Sequence, residues 1–591
     1  MRHYFFIVLV SVLLCMAGFA LTLPRASRAA QPLGEPVLEP PTLHCLGVYW
    51  VIGGDDNKNA RVEVEYRVVG QPWRRGLPLF RVEKGAHQHD RRRGGASLPA
   101  QAWLFAGSVV MLTPNTEYEL KLTLIDPDGG RAEKRLKART MAEPVAPPNA
   151  PQYHVVPGDG GGTGTRNDPF RGLAAAQAHA QPGDVFLLHA GVYEGTFTVT
   201  KSGAPGKPIV WRGAGDGDAI IDGQGKAAKR PGRGISAGDV HDVWFEDLTV
   251  RNADYGIVAH RAARLVIRRC HLYRCDYGIA ATHNDNDSVH GFFIADNLIE
   301  GPSTWPRTKG IENARGIQIT GAGHVVCYNR VRGFADGIDT FPSPRCAAID
   351  FHNNEISEMT DDGIEMDYSE RNTRCFFNRL TNVFQGISVQ PVYGGPVYIF
   401  RNALYNVGLE TFKMHNSPSG ALMFHNTSVK QGMPLILYTG ERVRNCVYRN
   451  NLFIGTEGNY AYETTAPMVD CDFDYDGFGG VWQFFLKWNG VRYPSIEEAR
   501  AKAPVYRHAV RVDPDAFASG VKPPDDERKQ FDVSLNDLRL RSDTAAIDAG
   551  EVLPNFSDGY MGRAPDLGAY EWGAPLPHYG PRHQRLRAGQ R

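Results

Sequence analysis

Asn354-Glu355-Ile356, Asn378-Arg379-Leu380, Asn402-Ala403-Leu404 and Asn426-Thr427-Ser428 recur at intervals of 24 residues (378−354, 402−378, 426−402). Asn329-Arg330-Val331 and Asn451-Leu452-Phe453 extend the series at intervals of 25 residues. Ser428 is the one departure, standing where the other units carry an apolar residue. A second phrase runs between the first: Gly256-Ile257, Gly278-Ile279, Gly316-Ile317, Gly337-Ile338, Gly363-Ile364 and Gly386-Ile387. A fixed period in this range means stacked repeats. Each unit holds short alternating β segments broken by Gly and Asn, with no helical pattern, and the L-x-x-L-x-L frame of a leucine-rich repeat is missing. The repeat is therefore one coil of a right-handed parallel β-helix. Identical residues sit above one another in such a solenoid, so the Asn column becomes an internal ladder of side-chain amides.

Lys+Arg and Asp+Glu both number 65, so nothing draws the chain to nucleic acid or to an anionic membrane. Arg2 and His3 precede the apolar run Tyr4 to Leu23, and small residues follow at Ser27 and Ala29; the pattern predicts an export signal over 1–29. The remainder is then expected to be secreted, periplasmic or held at the cell surface, with no membrane segment after cleavage, as a monomer. Eight cysteines remain beyond that segment, without CxxC or zinc spacing, and Cys327 reads as a core residue.

Residues 35–143 read as a separate antiparallel β unit. Leu112-Thr113-Pro114-Asn115-Thr116-Glu117-Tyr118 matches the L-x-P-x-T-x-Y phrase of fibronectin type III sandwiches, and Trp50 stands on an early strand. The unit is similar to that family, which implies a small β-sandwich. Pro144–Pro151 reads as a linker. Gly160 to Tyr193, with a helical stretch Leu173–Ala180 and the turn Pro182-Gly183-Asp184, resembles the entry segment of pectate-lyase-like β-helix proteins. That resemblance implies a short helix plugging the solenoid's first end. The coils are expected over 152–455, and 456–591 as a closing extension with a frayed tail, containing a capping box at Ser495-Ile496-Glu497-Glu498. The fold class is all-β: a parallel β-helix preceded by a small sandwich.

Counting forward from each Gly-Ile, alternation points one column outward: Val258, Ala280, Gln318, Asp339, Glu365, Ser388, Lys413. A second outward column reads His260, Thr282, Thr320, Phe341, Asp367, Gln390, His415. Three carboxylates, a Lys and a His thus gather in four consecutive coils. Two lengthened connections flank the same face, one holding His283 to Asp287 and the other Ser303 to Lys309 with Trp305 and Arg307. Long loops beside a polar strip suit a groove for an extended sugar chain. Trp305, Arg307, Gln318 and Gln390 are the expected substrate contacts.

Two chemistries fit the strip. In a lyase, Ca²⁺ on Asp339, Glu365 and Asp367 would neutralise a uronate while Lys413 or His415 removes the C5 proton. In a hydrolase, two of the carboxylates, Glu365 and Asp339 among them, would act as acid and nucleophile. Lys413 favours β-elimination of a uronic-acid-containing polysaccharide. The pectate-lyase-like resemblance covers lyases, hydrolases and non-catalytic adhesins alike, so a glycan-binding rod is the third alternative. No organic cofactor is expected. Asp336 and Asp362, each just before Gly, read as turn formers.

Overall fold

The computed structural model describes residues 28–84, 102–224, 232–282, 288–308, 313–341 and 346–582. Residues 1–27 of the stretch that reads as an export signal, the basic loop around His87 to Arg93, the loop His283 to Asp287, Lys309 and the tail after Arg582 lie outside the described residues.

From Gln152 onward the chain winds into a parallel β-helix whose two long sheets hold 16 and 20 strands. The Gly-Ile register is as expected: Ile257 pairs with Ile279, Ile279 with Ile317, Ile317 with Ile338, Ile338 with Ile364, Ile364 with Ile387 and Ile387 with Phe412. These side chains fill one continuous core together with Met366, Val389 and Met414. At one corner the Asn side chains form a single ladder. Asn297 Nδ2 donates to Asn329 Oδ1, Asn329 to Asn354, Asn354 to Asn378, Asn378 to Asn402, Asn402 to Asn426 and Asn426 to Asn451, all at 2.8–3.0 Å. Asn451 passes the last bond to Asp476 at 3.0 Å. Each amide also bonds backbone, so the buried corner leaves few polar atoms unsatisfied. Ser428, the exception in the repeat, turns its hydroxyl to Thr411 at 2.8 Å.

The helix Leu173–His179 closes the first end, with Ala176 in the core. At the other end Ser495 caps the helix Ile496–Lys502, its side chain accepting from Glu498 N at 3.2 Å.

The N-terminal unit is two antiparallel sheets packed face to face around Trp50, Val62, Phe105 and Leu122. Tyr118 Oη accepts from Thr113 N at 2.9 Å, which ties the strand start to the preceding turn. The unit does not stand off on a linker. Ser108 N donates to Tyr398 Oη (3.1 Å), Asn372 Nδ2 donates to Glu39 Oε2 (2.7 Å), and Arg374 joins Asp350 (2.5 Å) and Ser108 Oγ (3.1 Å) in a buried polar network. The segment 144–151 is itself strapped down, since Arg268 Nη1 donates to Pro144 O at 2.7 Å and Ala146 and Ala150 pack on the solenoid.

Cys327 is buried, but outside the main core. It stands in an outward column that continues through His352, Phe376, Phe400 and Phe424. His352, Phe376 and Phe400 stack in turn at 5.0 and 4.8 Å. Alternation from the buried Cys375 sends Phe376 outward, and the sandwich and the C-terminal extension cover this ladder with Cys45, Val110 and Phe556.

Candidate functional site

The outward column has the expected register. Ala280 pairs with Gln318, Gln318 with Asp339, Asp339 with Glu365, Glu365 with Ser388 and Ser388 with Lys413. Alternation does not, however, hold backward through Gly. The Gly337 Cα faces the interior, because an added Cβ would meet Gly363 O at 2.5 Å and Ile356 Cγ2 at 2.8 Å. Gly and Ile are therefore inward in succession, and the residue before Gly returns to the outer face. Asp336 and Asp362 thereby join the strip from positions that read as turns in the sequence, and Arg315 joins them from the equivalent position before Gly316.

Arg315 is its centre. Nη1 lies 2.9 Å from Asp336 Oδ2, 2.8 Å from Asp339 Oδ2 and 3.2 Å from Glu365 Oε2. Burial works against the guanidinium's charge, yet the three carboxylates hold its pKa above the ordinary value. Asp336 Oδ1 accepts from Asp362 N at 3.1 Å, and Asp339 Oδ1 from Phe341 N at 3.0 Å. Lys413 Nζ donates to Asp362 Oδ2 at 2.6 Å. Asp367 turns away from this group: its Oδ1 accepts from Ser388 Oγ (2.7 Å) and Gln390 N (2.6 Å). Arg307 Nη1 approaches Asp361 Oδ1 at 3.6 Å and lies over the Phe384 ring at 4.5 Å.

Six carboxyl groups (Asp336, Asp339, Asp361, Asp362, Glu365, Asp367) thus meet three cations (Arg307, Arg315, Lys413) among the described residues. The excess cannot all be ionised where water is scarce. Burial first, then the like charges of Asp336 and Asp367, push Glu365 well above the usual carboxylate range. Burial raises Asp336 and Asp339 against the pull of Arg315. Asp367 is pushed up to about 7, mainly by burial and Asp362. Burial opposes the Lys413 ammonium, but Asp362 outweighs it and the pKa rises.

The expected calcium ligands regroup. Asp336, Asp339 and Glu365 converge, with oxygens within 4.8 Å of one another, and so do Asp336, Asp361 and Asp362. Asp367 belongs to neither set. At the first point of convergence stands Arg315 Nη1, within hydrogen-bond reach of all three carboxylates, and calcium wants six to eight oxygens at about 2.3–2.6 Å. The donor set as arranged does not fit a calcium ion; the guanidinium supplies the positive charge there.

His415 Nε2 lies 2.9 Å from Glu410 Oε2, whose hydrogen bond holds the imidazole's pKa up, and Glu410 Oε1 accepts from Tyr438 N at 2.7 Å. Of the four expected substrate contacts, Gln318 and Gln390 lie on the strip and Arg307 reaches Asp361. Trp305 instead donates its indole N–H to Lys529 O at 2.9 Å, against the C-terminal extension. Arg315 carried no signal in the sequence, because a cation one coil below an acidic pair becomes informative only when the corner geometry is known.

The model for a right handed beta helix region matches residues 228–390. One curated relative, an uncharacterized protein, YwoF, of Bacillus subtilis (strain 168), is 30% identical over 187 residues. That match takes in 28% of this chain, and the chain spans 39% of the relative's length. Among solved structures, the catalytic domain of a GH87 alpha-1,3-glucanase in complex with nigerose aligns over 79% of this chain and 90% of that one, at 11% identity and a TM-score of 0.30. Its D1045A variant with nigerose gives 0.32 at the same coverage and identity. A superposition that loose says nothing about the chemistry of a site. Among the described residues no helix is long and apolar enough to cross a membrane.

Proposed function

We propose that the strip is the active site of a glycoside hydrolase acting on an extended polysaccharide. The observation that carries this reading is the buried excess of carboxyl groups over cations on an outward face. Such a cluster must hold a neutral carboxylic acid beside ionised partners, which is the acid and base pairing that glycosidic cleavage needs. Glu365, the least buried of the acids around Arg315, is the proton donor to the glycosidic oxygen. Asp362, fully buried behind Glu365, is the counter-ion of Lys413 and does not itself meet the sugar. Arg315 positions Glu365 and Asp339. Elimination is the less favoured chemistry because Lys413, the base expected for it, is held by Asp362 and does not stand free to take a C5 proton. No step is assigned to a metal.

The test is a panel of neutral and uronic-acid polysaccharides assayed for new reducing ends and for unsaturated products, with and without chelator. Reducing ends without unsaturated product, lost in Glu365→Gln, are expected. Unsaturated product would move the reading to a lyase, and indifference of every polymer to the protein would leave a glycan-binding solenoid.

A further inference from the structure

The outward strip does not end at Lys413. The Asn ladder counts the coils: Glu365 lies in the coil opened by Asn354, Lys413 in that of Asn402, Ile436 in that of Asn426, Glu463 in that of Asn451 and Lys487 in that of Asp476. Ile436 pairs with Glu463, Glu463 with Lys487 and Tyr460 with Phe484. Tyr460 and Phe484 therefore occupy the same column as Asp336 and Asp362, and Glu463 and Lys487 the column of Asp339 and Glu365. Four coils separate Glu365 from Glu463, a distance of roughly 19 Å along the strip.

At that far end the character of the face reverses. A cavity of about 440 Å³ opens there, lined by Tyr460, Phe484, Gln483, Glu463, Lys487 and Arg492. Tyr460 and Phe484 stack with centroids 5.7 Å apart. Arg492, on the return strand Val491–Tyr493, lies over Phe484 at 5.6 Å and donates from Nε to Tyr460 Oη at 2.6 Å. Lys487 Nζ lies 2.7 Å from Glu463 Oε1. Two cations thus face one carboxylate, and Arg492, an exposed residue, pairs with no carboxylate among the described residues. The aromatic pair pre-orients the guanidinium, so little side-chain freedom is lost when an anion arrives.

We propose that this cavity is a remote subsite for an acidic sugar, a ring bearing carboxylate or sulfate, within a glycan whose other part lies across the acidic cluster. Arg492 is the specificity-determining residue: its remaining N–H groups take the anion, and Phe484, backed by the buried Tyr460, meets the ring's apolar side. The inference rests on the reading of the strip as a glycan groove, and it adds that the polymer carries charge roughly 19 Å from the bond that is cut.

The experiment is calorimetric binding to the full chain in the Glu365→Gln background, so that turnover plays no part. The probes are an oligogalacturonide of about eight residues, a heparin-derived sulfated oligomer of similar length and a neutral glucan oligomer, sizes set by the strip's span. Arg492→Ala should weaken an anionic oligomer at least tenfold, Arg492→Lys should restore part of that, and rising salt should erode the difference. Neutral binding should be unchanged. Whichever of the carboxylated and sulfated oligomers responds identifies the anion. Equal affinity in Arg492→Ala with an unchanged melting temperature overturns the inference, as does absence of binding by both anionic oligomers. Cleavage of a neutral polymer that Glu365→Gln abolishes would then still uphold the hydrolase reading. Conversely, an Arg492-dependent anionic complex with no cleavage of any polymer would sink the hydrolase reading alone.

Discussion

Lys413 Nζ reaches back across an intervening coil to Asp362 Oδ2, 2.6 Å away, and the carboxylate it meets is fully buried. A lysine in that position is a counter-ion. Removing it leaves an uncompensated buried charge, which costs about 3–5 kcal/mol. Lys413→Gln should therefore lower the denaturant midpoint markedly, and the double variant with Asp362→Asn should recover much of the loss. Additive losses in that cycle would show that the two side chains do not interact.

Glu365→Gln tests the acid itself. The amide keeps the shape but carries no transferable proton, so turnover should drop about 10²–10⁴-fold while substrate binding persists. The wild-type rate should decline as pH rises past the pKa of Glu365, at a pH above the usual carboxylate range, since the donor must be protonated. An alkaline limb unmoved by substitutions at Asp336 or Asp367, its two strongest like-charged neighbours, would contradict this assignment.

Arg315 predicts indifference to chelation. With its guanidinium between Asp336, Asp339 and Glu365, stripping divalent ions should change neither melting temperature nor activity. Arg315→Ala, by contrast, leaves three converging carboxylates without their cation. That variant should be destabilised by several kcal/mol, and added Ca²⁺ should raise its melting temperature while leaving the wild type unmoved. Metal-dependent melting of the wild type would restore the calcium reading.

The ladder makes a sharper statement about the fold. Asn402 donates to Cys375 O and Asn426 Oδ1, and accepts from Asn378 N and Nδ2, at 2.9–3.0 Å. Leucine at this site strands the groups on both neighbouring coils, so Asn402→Leu should cost about 1–3 kcal/mol in chemical unfolding. A cost near zero would mean that the corner is not sealed from water.

The ladder and the core column were legible in the sequence because both depend only on period and alternation, which the side chains of Asn354, Asn378, Ile338 and Ile364 display openly. The column Gln318, Asp339, Glu365, Ser388, Lys413 followed for the same reason. The rest depended on facts that a period does not carry. Two successive inward residues at Gly337-Ile338 swing Asp336 outward, and strict alternation has no place for that. The engagement of Lys413 with Asp362 depends on how far one side chain reaches across coils. The burial of Cys327 and Phe376 against the sandwich depends on which face the N-terminal unit docks on, and no repeat in the solenoid encodes this.

Asp476 ends the ladder where an Asn would continue it. Its Oδ1 accepts from Asn451 N at 2.8 Å and Asn451 Nδ2 at 3.0 Å, while its buried Oδ2 has no partner. Burial pushes this carboxyl up to about 8, against the hydrogen bonds from Asn451. The folded state thus holds a proton that the unfolded chain releases near its ordinary value of 3.8. Between those two pH values the native state binds more protons, so stability must fall as pH rises, by up to ~1.4 kcal/mol per unit, and level off above about 8. Asp476→Asn replaces the protonated acid with a neutral amide of the same shape. Its advantage over the wild type should be small near pH 4, grow steadily to pH 8 and then stay constant, read as the difference in unfolding free energy across a pH series. A difference that is flat with pH, or one that shrinks as pH rises, would mean that Asp476 is ionised in the folded chain and that the ladder ends on a charge.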